Sequence, residues 1–328
     1  MNKRTKNSPR LPNDHNRDHL MVQVAKSYYD LYKTQAEIGK DLGLTRWQVG
    51  KLLTEAREQG IVKIEIAPKI SRQADLEVSL QRTFGLDDAL VVPMGDITEA
   101  SVLTDVVGKA AANYLVRMNP KPNLMGVSWG YTMSSVARAL PARWNEGLEV
   151  VLLNGSTSLR NNSTETSAVA EVFAQSAGGT AILLPVPAIV GNPATRVALE
   201  KDPLLIEVFE TGRRAEVVCF GMGGMSYDSV LRSSGYLKRH DFDRLRDAGA
   251  VGDVLGRFVD ANGNIVDPDL DARTVGLSLD ALRDHKRTIA VVAGKEKHQI
   301  ALATLRAGLT SVLVTDEATA RAVLKGHP

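Results

Sequence analysis

Apolar residues recur every three to four positions from about Arg17 to Gln59. After that, short apolar runs alternate with helical stretches. Leu20, Val24, Tyr28 and Leu31 share one face of a helix predicted from about Arg17 to Tyr32. A second helix is predicted over Thr34 to Leu42 and a third over Thr45 to Gln59. Ile61 to Ile66 then alternates apolar and polar residues, as a half-buried strand does, and Pro68 ends it. A further helix, Ser71 to Phe84, is expected to link two domains. Beyond it, strands are predicted at Ala89–Val92, Leu124–Val127, Glu149–Asn154, Thr180–Val186, Glu216–Phe220, Thr288–Ala293 and Ser311–Val314. Helices such as Ser101–Arg117, Tyr131–Leu140, Glu165–Ala177 and Lys297–Ala307 lie between them. That alternation predicts an α/β domain with a mostly parallel sheet covered on both faces. A hairpin is expected near Val254–Asp260 and Ile265–Val266, turning at Asn262-Gly263. The expected divisions are a disordered polar tail (1–16), a small helical domain (17–68), a linker helix (69–86) and the α/β domain (87–328).

The second and third helices have the spacing of a helix-turn-helix. Ile38 and Leu42 share a face, Gly39 permits a close helix approach, and Gly43 suits the left-handed conformation that ends a helix. Leu44 plugs the turn and Thr45 is a good N-cap. Val49, Leu52 and Leu53 give the third helix a buried side. Its other positions include Arg46, Gln48 and Lys51, side chains suited to base edges and phosphates. Thr45, Arg46, Trp47, Gln48 and Lys51 are therefore the candidate DNA contacts. Trp47 suits either a neighbouring helix or the DNA backbone.

Charge agrees with this division. Residues 1–63 hold 12 Lys and Arg against 7 Asp and Glu, whereas the whole chain carries only +2. A basic module on a slightly acidic body suits a polyanionic partner. The single cysteine, Cys219, excludes an intrachain disulfide and lies in an apolar run, so an inert buried thiol is expected. No apolar run reaches the roughly 20 residues of a membrane helix. Met1 to His19 has no apolar leader core, so a cytoplasmic protein without membrane contact is expected.

Ligands of open α/β sheets bind at the carboxyl ends of the strands. Several loops fall there. Gly126-Val-Ser128-Trp-Gly130-Tyr-Thr132 leaves a strand and opens a helix, so its amides and the Ser128 and Thr132 hydroxyls suit a phosphate or a sugar hydroxyl. Asn154-Gly155-Ser156 offers polar atoms for a polyol, or is a plain turn. Gly221 to Met225, with Gly223 at its centre, is expected to be a loop that lets a ligand approach the backbone. Lys295 ends a strand just before a helix.

The helix-turn-helix, the phrase Glu55-Ala-Arg-Glu-Gln-Gly-Ile-Val62 and the domain behind them resemble the SorC family of sugar-responsive transcription regulators, from about Tyr28 to Val323. The resemblance implies a Rossmann-like effector domain related to sugar-phosphate isomerases and deaminases, sensing rather than reacting, in a homodimer or homotetramer. It implies that the Gly126–Thr132 loop and Asp253 touch the effector and that Lys295 binds its phosphate. Family members usually carry Ala at Gly39 and Ser-Arg at Gly50-Lys51. Some hold an aldehyde through a lysine. Asn154 to Ser163 contains Arg160 but no lysine, so a sugar phosphate, sugar or polyol held non-covalently is expected, with the phosphorylated form favoured. The competing reading is an isomerase or deaminase. None of the six histidines falls in the glycine loops, although His298 opens the helix after Lys295. No metal-ligand spacing and no Ser-His-Asp order occurs. The expectation is a regulator of carbohydrate use, without cofactor, that binds operator DNA.

Overall fold

The computed structural model describes residues 14–62, 73–95, 97–156 and 168–327. The chain divides into two compact units between residues 69 and 70.

The first unit holds α1 (Asp14–Tyr29), α2 (Gln35–Leu42) and α3 (Arg46–Glu58). α1 begins inside the stretch expected to be a tail, while residues 1–13 lie outside the described ones. Thr34 and Thr45 each open a helix with a capping box, to Glu37 and Gln48 respectively. Each such cap contributes about 1 kcal/mol. α2 stops at Gly43, whose φ of 66° is the left-handed conformation that its missing Cβ allows. Met21, Val24, Ile38, Val49, Leu52, Leu53 and Ala56 form the buried core. A Cβ on Gly39 would lie 2.6 Å from the Leu44 carbonyl oxygen, so the helix approaches the turn as closely as glycine permits. The Arg17 guanidinium grips Glu55 at 2.8–3.1 Å and ties α1 to α3. Ile61 and Val62, expected to open a strand, form a bend in which the Val62 amide donates to the Ala56 carbonyl. Residues 63–66 lie outside the described ones.

Among the described residues, the second unit holds nine strands: β1 (Asp88–Val92), β2 (Leu124–Val127), β3 (Glu149–Leu152), β4 (Thr180–Ile182), β5 (Val217–Gly224), β6 (Gly252–Val254), β7 (Arg257–Val259), β8 (Thr288–Val292) and β9 (Val312–Asp316). Seven are parallel, in the order β1-β9-β8-β5-β2-β3-β4. The principal helices are α4 (Ala74–Phe84), α5 (Ala100–Arg117), α6 (Tyr131–Ala139), α7 (Val169–Ala177), α8 (Pro193–Glu200), α9 (Pro203–Arg214), α10 (Arg239–Asp247), α11 (His298–Arg306) and α12 (Glu317–Gly326). Period-two alternation splits the strand residues between two cores. Val127, Val150, Cys219 and Ile289 pack with α5, α6 and α7. Val151, Val218, Phe220 and Ala290 pack with α4, α11 and α12. Both faces are thus covered, as a parallel sheet requires.

α4, expected as a linker, belongs to this unit: Leu80 is fully buried in its core, and the Glu77 carboxylate accepts from the Val91 amide at 2.9 Å. β4 stops at Ile182, well short of the predicted Val186, because Pro185 and Pro187 have no N–H for a ladder. The predicted loop from Gly221 is instead the end of β5, which pairs antiparallel with β6. The β6–β7 hairpin turns at Leu255-Gly256, both at positive φ (55° and 81°), as a two-residue type I′ turn requires. Asn262-Gly263 makes only a secondary turn, closing one bridge between Val259 and Ile265. α8 and α9 were not anticipated. Both begin with proline after Asn192 or Asp202, an N-cap signal that also reads as a chain break.

From β2 the chain adds β3 and β4 on one side, then returns to place β5, β8 and β9 on the other. The β2–β5 boundary is therefore a topological switch point, where the outgoing loops diverge and leave a crevice.

Candidate functional sites

On α3, Arg46, Trp47 and Lys51 are exposed while Val49, Leu52 and Leu53 are buried, so one helix separates a solvent face from a packing face. Trp47 is 73% exposed and carries the Lys51 ammonium 5.7 Å from its ring centroid. Among the described residues it is not part of the helical core. Thr45 and Gln48 are occupied locally: the Gln48 amide donates to Thr45 Oγ1, and the Gln48 side-chain oxygen accepts from the Thr45 amide. Arg46 and Lys51 remain as outward cations on the turn-proximal half of the helix.

In the second unit, a cleft of about 750 Å³ opens at the β2–β5 switch point. Ser128 leaves β2 there, and its Oγ accepts from the Gly221 amide at 3.1 Å across the strand boundary. Gly130, at φ 128°, caps α6 without a side chain, so the helix N-terminus faces the cleft. Thr132 lies in the first turn of α6, and Lys297 Nζ donates to its Oγ1 at 3.2 Å. The β6–β7 hairpin brings in Asp253, whose Oδ2 accepts from the Gly256 amide at 2.9 Å. A Cβ on Gly223 would fall 2.0 Å from Asp253 Oδ1, so this strand pair requires glycine there. Asn154, just past β3, is buried, and its Oδ1 has no hydrogen-bond partner among the described residues.

Burial pushes the Asp253 carboxyl up to about 6, against the opposing pull of the Gly256 amide and Lys297. Burial also lowers the Lys297 ammonium, while Glu296 and Asp253 raise it. The two charges support one another inside a poorly solvated cleft. At the rim, Arg138 pairs with Asp105 at 3.6 Å. The cleft thus offers helix amides, hydroxyls and an ammonium as donors, with a carboxylate and an amide oxygen as acceptors. A hydroxyl-bearing ligand satisfies both kinds. Among the described residues, no group of three or more His, Cys, Asp or Glu could hold a metal ion. No helix there is long and apolar enough to cross a membrane.

Residues 68–325 match the family model described as "Putative sugar-binding domain". The chain belongs to the SorC family. The Erythritol catabolism regulatory protein EryD of Brucella abortus is 30% identical over 313 residues, covering 95% of this chain and 98% of that relative. The Deoxyribonucleoside regulator of Bacillus subtilis is 29% identical over 311 residues, covering 95% and 99%. The full-length sorbitol operon regulator SorC of Klebsiella pneumoniae superposes with a TM-score of 0.70 at 26% identity, covering 95% of this chain and all of that one. These relatives are transcription regulators, and this SorC-family chain is a regulator rather than an enzyme.

Of the residues expected to touch the effector in this SorC-family regulator, Ser128, Gly130, Thr132, Asn154, Gly223 and Asp253 line the cleft. Gly126, Gly155, Ser156 and Lys295 are not in its lining. Gly126 lies within β2, where a Cβ would meet the Leu153 side chain at 2.7 Å. Gly155 sits against the Pro187 carbonyl, and its own carbonyl accepts from Trp129 Nε1. Lys295 is exposed: it opens a tight 3₁₀ turn, Lys295–Lys297, whose last residue is the one that enters the cleft. The lysine in the cleft lining is thus two positions beyond the one named from the sequence. Lys297 had been assigned to the following helix, but that helix starts only at His298, which is itself outside the lining. Sequence reasoning also missed Asp105, Arg138 and Asp228 at the rim, which come from helices and a loop with no motif of their own. Residues 157–163, including Arg160, lie outside the described ones.

Proposed function

We propose that the first unit binds operator DNA through α3 and that the cleft of the second unit receives the effector controlling that binding. The buried, unpartnered Asn154 Oδ1 carries the effector reading, because a buried acceptor left without a donor costs about 1–3 kcal/mol unless a ligand supplies one. The effector is a sugar, polyol or sugar phosphate held non-covalently. Asp253 and Asn154 accept from its hydroxyls, while Ser128, Thr132, Lys297 and the amides after Gly130 donate to its oxygens. Lys297 replaces Lys295 as the cation of the site. Erythritol, deoxyribonucleosides and sorbitol, named for the relatives, are all polyhydroxylated and suit this donor and acceptor set.

On the DNA side, Arg46, Trp47 and Lys51 meet the operator, with Thr45 and Gln48 fixing the start of the helix. One helix-turn-helix reads few base pairs, so the regulator acts as a homodimer or homotetramer on paired half-sites about 34 Å apart or a multiple of that. The effector acts by binding one arrangement of the assembly more tightly than another.

Thermal melts of the full chain against erythritol, sorbitol, 2-deoxyribose and their monophosphates test the cleft. Calorimetry on a compound that raises the melting temperature then compares two lysine variants. Lys297→Ala should weaken its binding about tenfold or more, and Lys295→Ala by less than about twofold. Equal losses at both positions, or none at Lys297, would remove Lys297 from the site.

A further inference from the structure

Arg257 is 2% exposed, yet it carries a guanidinium. All five of its N–H groups have acceptors on one short stretch of chain. Nε donates to the Leu277 carbonyl at 3.1 Å. Nη1 donates to the Asp271 carbonyl and to the Asp271 carboxylate. Nη2 donates to the carbonyls of Thr274 and Gly276, at 3.4 and 3.1 Å. The side chain is thus a clamp on residues 271–277 and has no donor left for anything else.

That stretch lies against the effector cleft. The Leu277 amide donates to the Leu153 carbonyl at 2.8 Å, and the Gly155 amide donates to the Val275 carbonyl at 3.2 Å. Gly276 forms a bridge with Asn154. The fit is close: a Cβ on Gly276, which sits at φ 135°, would lie 2.7 Å from the Asn154 Cα and 2.6 Å from the Leu153 carbonyl oxygen. On its far side the stretch is held by the Val275 amide on Ala188 and the Val190 amide on the Arg273 carbonyl. Asn154 follows β3 directly, so its backbone is fixed by the strand before it and by this stretch beside it. The same hairpin that presents Asp253 from β6 carries Arg257 on β7, where it pairs with Val254.

We propose that Arg257 is a positioning residue of the effector site: through Gly276 it sets where Asn154 presents its side-chain oxygen. The hairpin then places two acceptors of the cleft, Asp253 directly and Asn154 through the clamped stretch. This rests on the reading of the cleft as the effector site. An acceptor displaced by even part of a hydrogen-bond length loses the geometry that bond needs, so a clamp of this kind acts on affinity without touching the ligand.

The test is a double-mutant cycle on the full chain, using as probe the member of the polyol, sugar and monophosphate panel that stabilises it most. Removing Arg257 alone would strand a carboxylate, so the variant is Arg257→Met combined with Asp271→Leu, which takes both charges away. This pair and Asn154→Ala should each weaken probe binding about tenfold. Combined, they should be no weaker than Asn154→Ala within about twofold, whereas a purely structural role would give multiplied losses. Gly276→Ala, which pushes the stretch off Asn154 with Arg257 intact, should reproduce the loss and guards against a misfolded clamp variant. If Asn154→Ala weakens the probe but the clamp variants do not, or their losses multiply, the positioning role is overturned. If no panel member responds to Asn154→Ala, the cleft reading itself fails and this proposal with it.

Discussion

The helix-turn-helix and the cleft of the second unit are written into the chain in opposite ways. The first occupies twenty consecutive residues, Gln35 to Thr54, and each side chain is placed by neighbours three or four positions away. The second draws its lining from segments scattered between Ala100 and Lys297, brought together only because the sheet reverses its strand order at β2 and β5. In the first, a side chain's direction follows from helical periodicity. In the second it depends on where a strand stops and how tightly the next turn winds, so two residues separate the exposed Lys295 from Lys297 in the cleft lining. The difference sets how each site should respond to a single added methyl group.

The cleft should respond most strongly at Gly223. An alanine Cβ there would lie 2.0 Å from Asp253 Oδ1, and Asp253 is held in place by the Gly256 amide. The carboxylate must swing away and abandon that bond. A hydrogen bond to a charged group contributes roughly 1.5–3 kcal/mol, so Gly223→Ala should lower effector affinity by about 10- to 100-fold. Operator binding without effector should be retained. Calorimetry and a gel-shift titration on the same preparation check both halves. Unimpaired effector binding would show that Asp253 is not a contact.

Asp253 itself should make the second unit's stability depend on pH. Its folded value, about 6, lies above its ordinary 3.8, so between those values the folded chain holds a proton that the unfolded chain has released. Stability therefore falls as pH rises through this window, and above about pH 6 the full cost of the buried carboxylate is present. That cost is about 3 kcal/mol at most. Asp253→Asn removes it and can still accept from Gly256, although Lys297 then loses its counter-charge. The variant should match the parent near pH 4 and be more stable at pH 8 by about 1–3 kcal/mol. Urea unfolding followed through Trp129 and Trp144, both buried in this unit, measures the gap. A gap that shrinks as pH rises would reverse the assignment.

The first unit should be just as intolerant at Gly39. The methyl of Gly39→Ala would meet the Leu44 carbonyl at 2.6 Å, and backbone cannot step aside as a side-chain tip can. Overpacking of this kind costs about 1–3 kcal/mol. Circular dichroism melts of the variant should show the first unit unfolding earlier while the second keeps its transition.

How much of this was legible in advance follows from the same contrast. Thr45 as N-cap, Gly43 as the left-handed stop and the buried trio Val49, Leu52 and Leu53 are all local consequences of sequence, and all are found. The parallel sheet was legible too, because a strand buried on both faces has to be an apolar run. The limits of β4 and β5 were not. One depends on two prolines at a sheet edge, the other on pairing with a hairpin thirty residues further on. Lys297 was hidden because a 3₁₀ turn and the first turn of an α-helix look alike in sequence. Arg257 was hidden because four of its five acceptors are backbone carbonyls, which leave no trace in side-chain pattern.

The smallest expected effect is at Gly50, and it marks where the first unit stops being tight. Like Gly39, this glycine lies within a helix of the helix-turn-helix, and it departs from the Ser that the family usually carries. The three atoms nearest to a Cβ there all belong to the Gln35 side-chain amide, Oε1 first at 3.4 Å, the end of a flexible side chain. Gln35 can rotate aside at little cost, whereas Leu44 beside Gly39 cannot move its carbonyl. Replacing an interior helical glycine by alanine gains roughly 0.5–1 kcal/mol from backbone entropy alone. Gly50→Ala should therefore leave the fold unchanged and raise the first unit's melting temperature slightly, opposite in sign to Gly39→Ala. A gel-shift titration on the same variant then isolates a second question. If the stabilised helix binds operator more weakly, the space above Gly50 is where the DNA backbone or a base edge approaches α3, and glycine is kept there for that contact. Unchanged or tighter binding would confine the operator contacts to Arg46, Trp47 and Lys51.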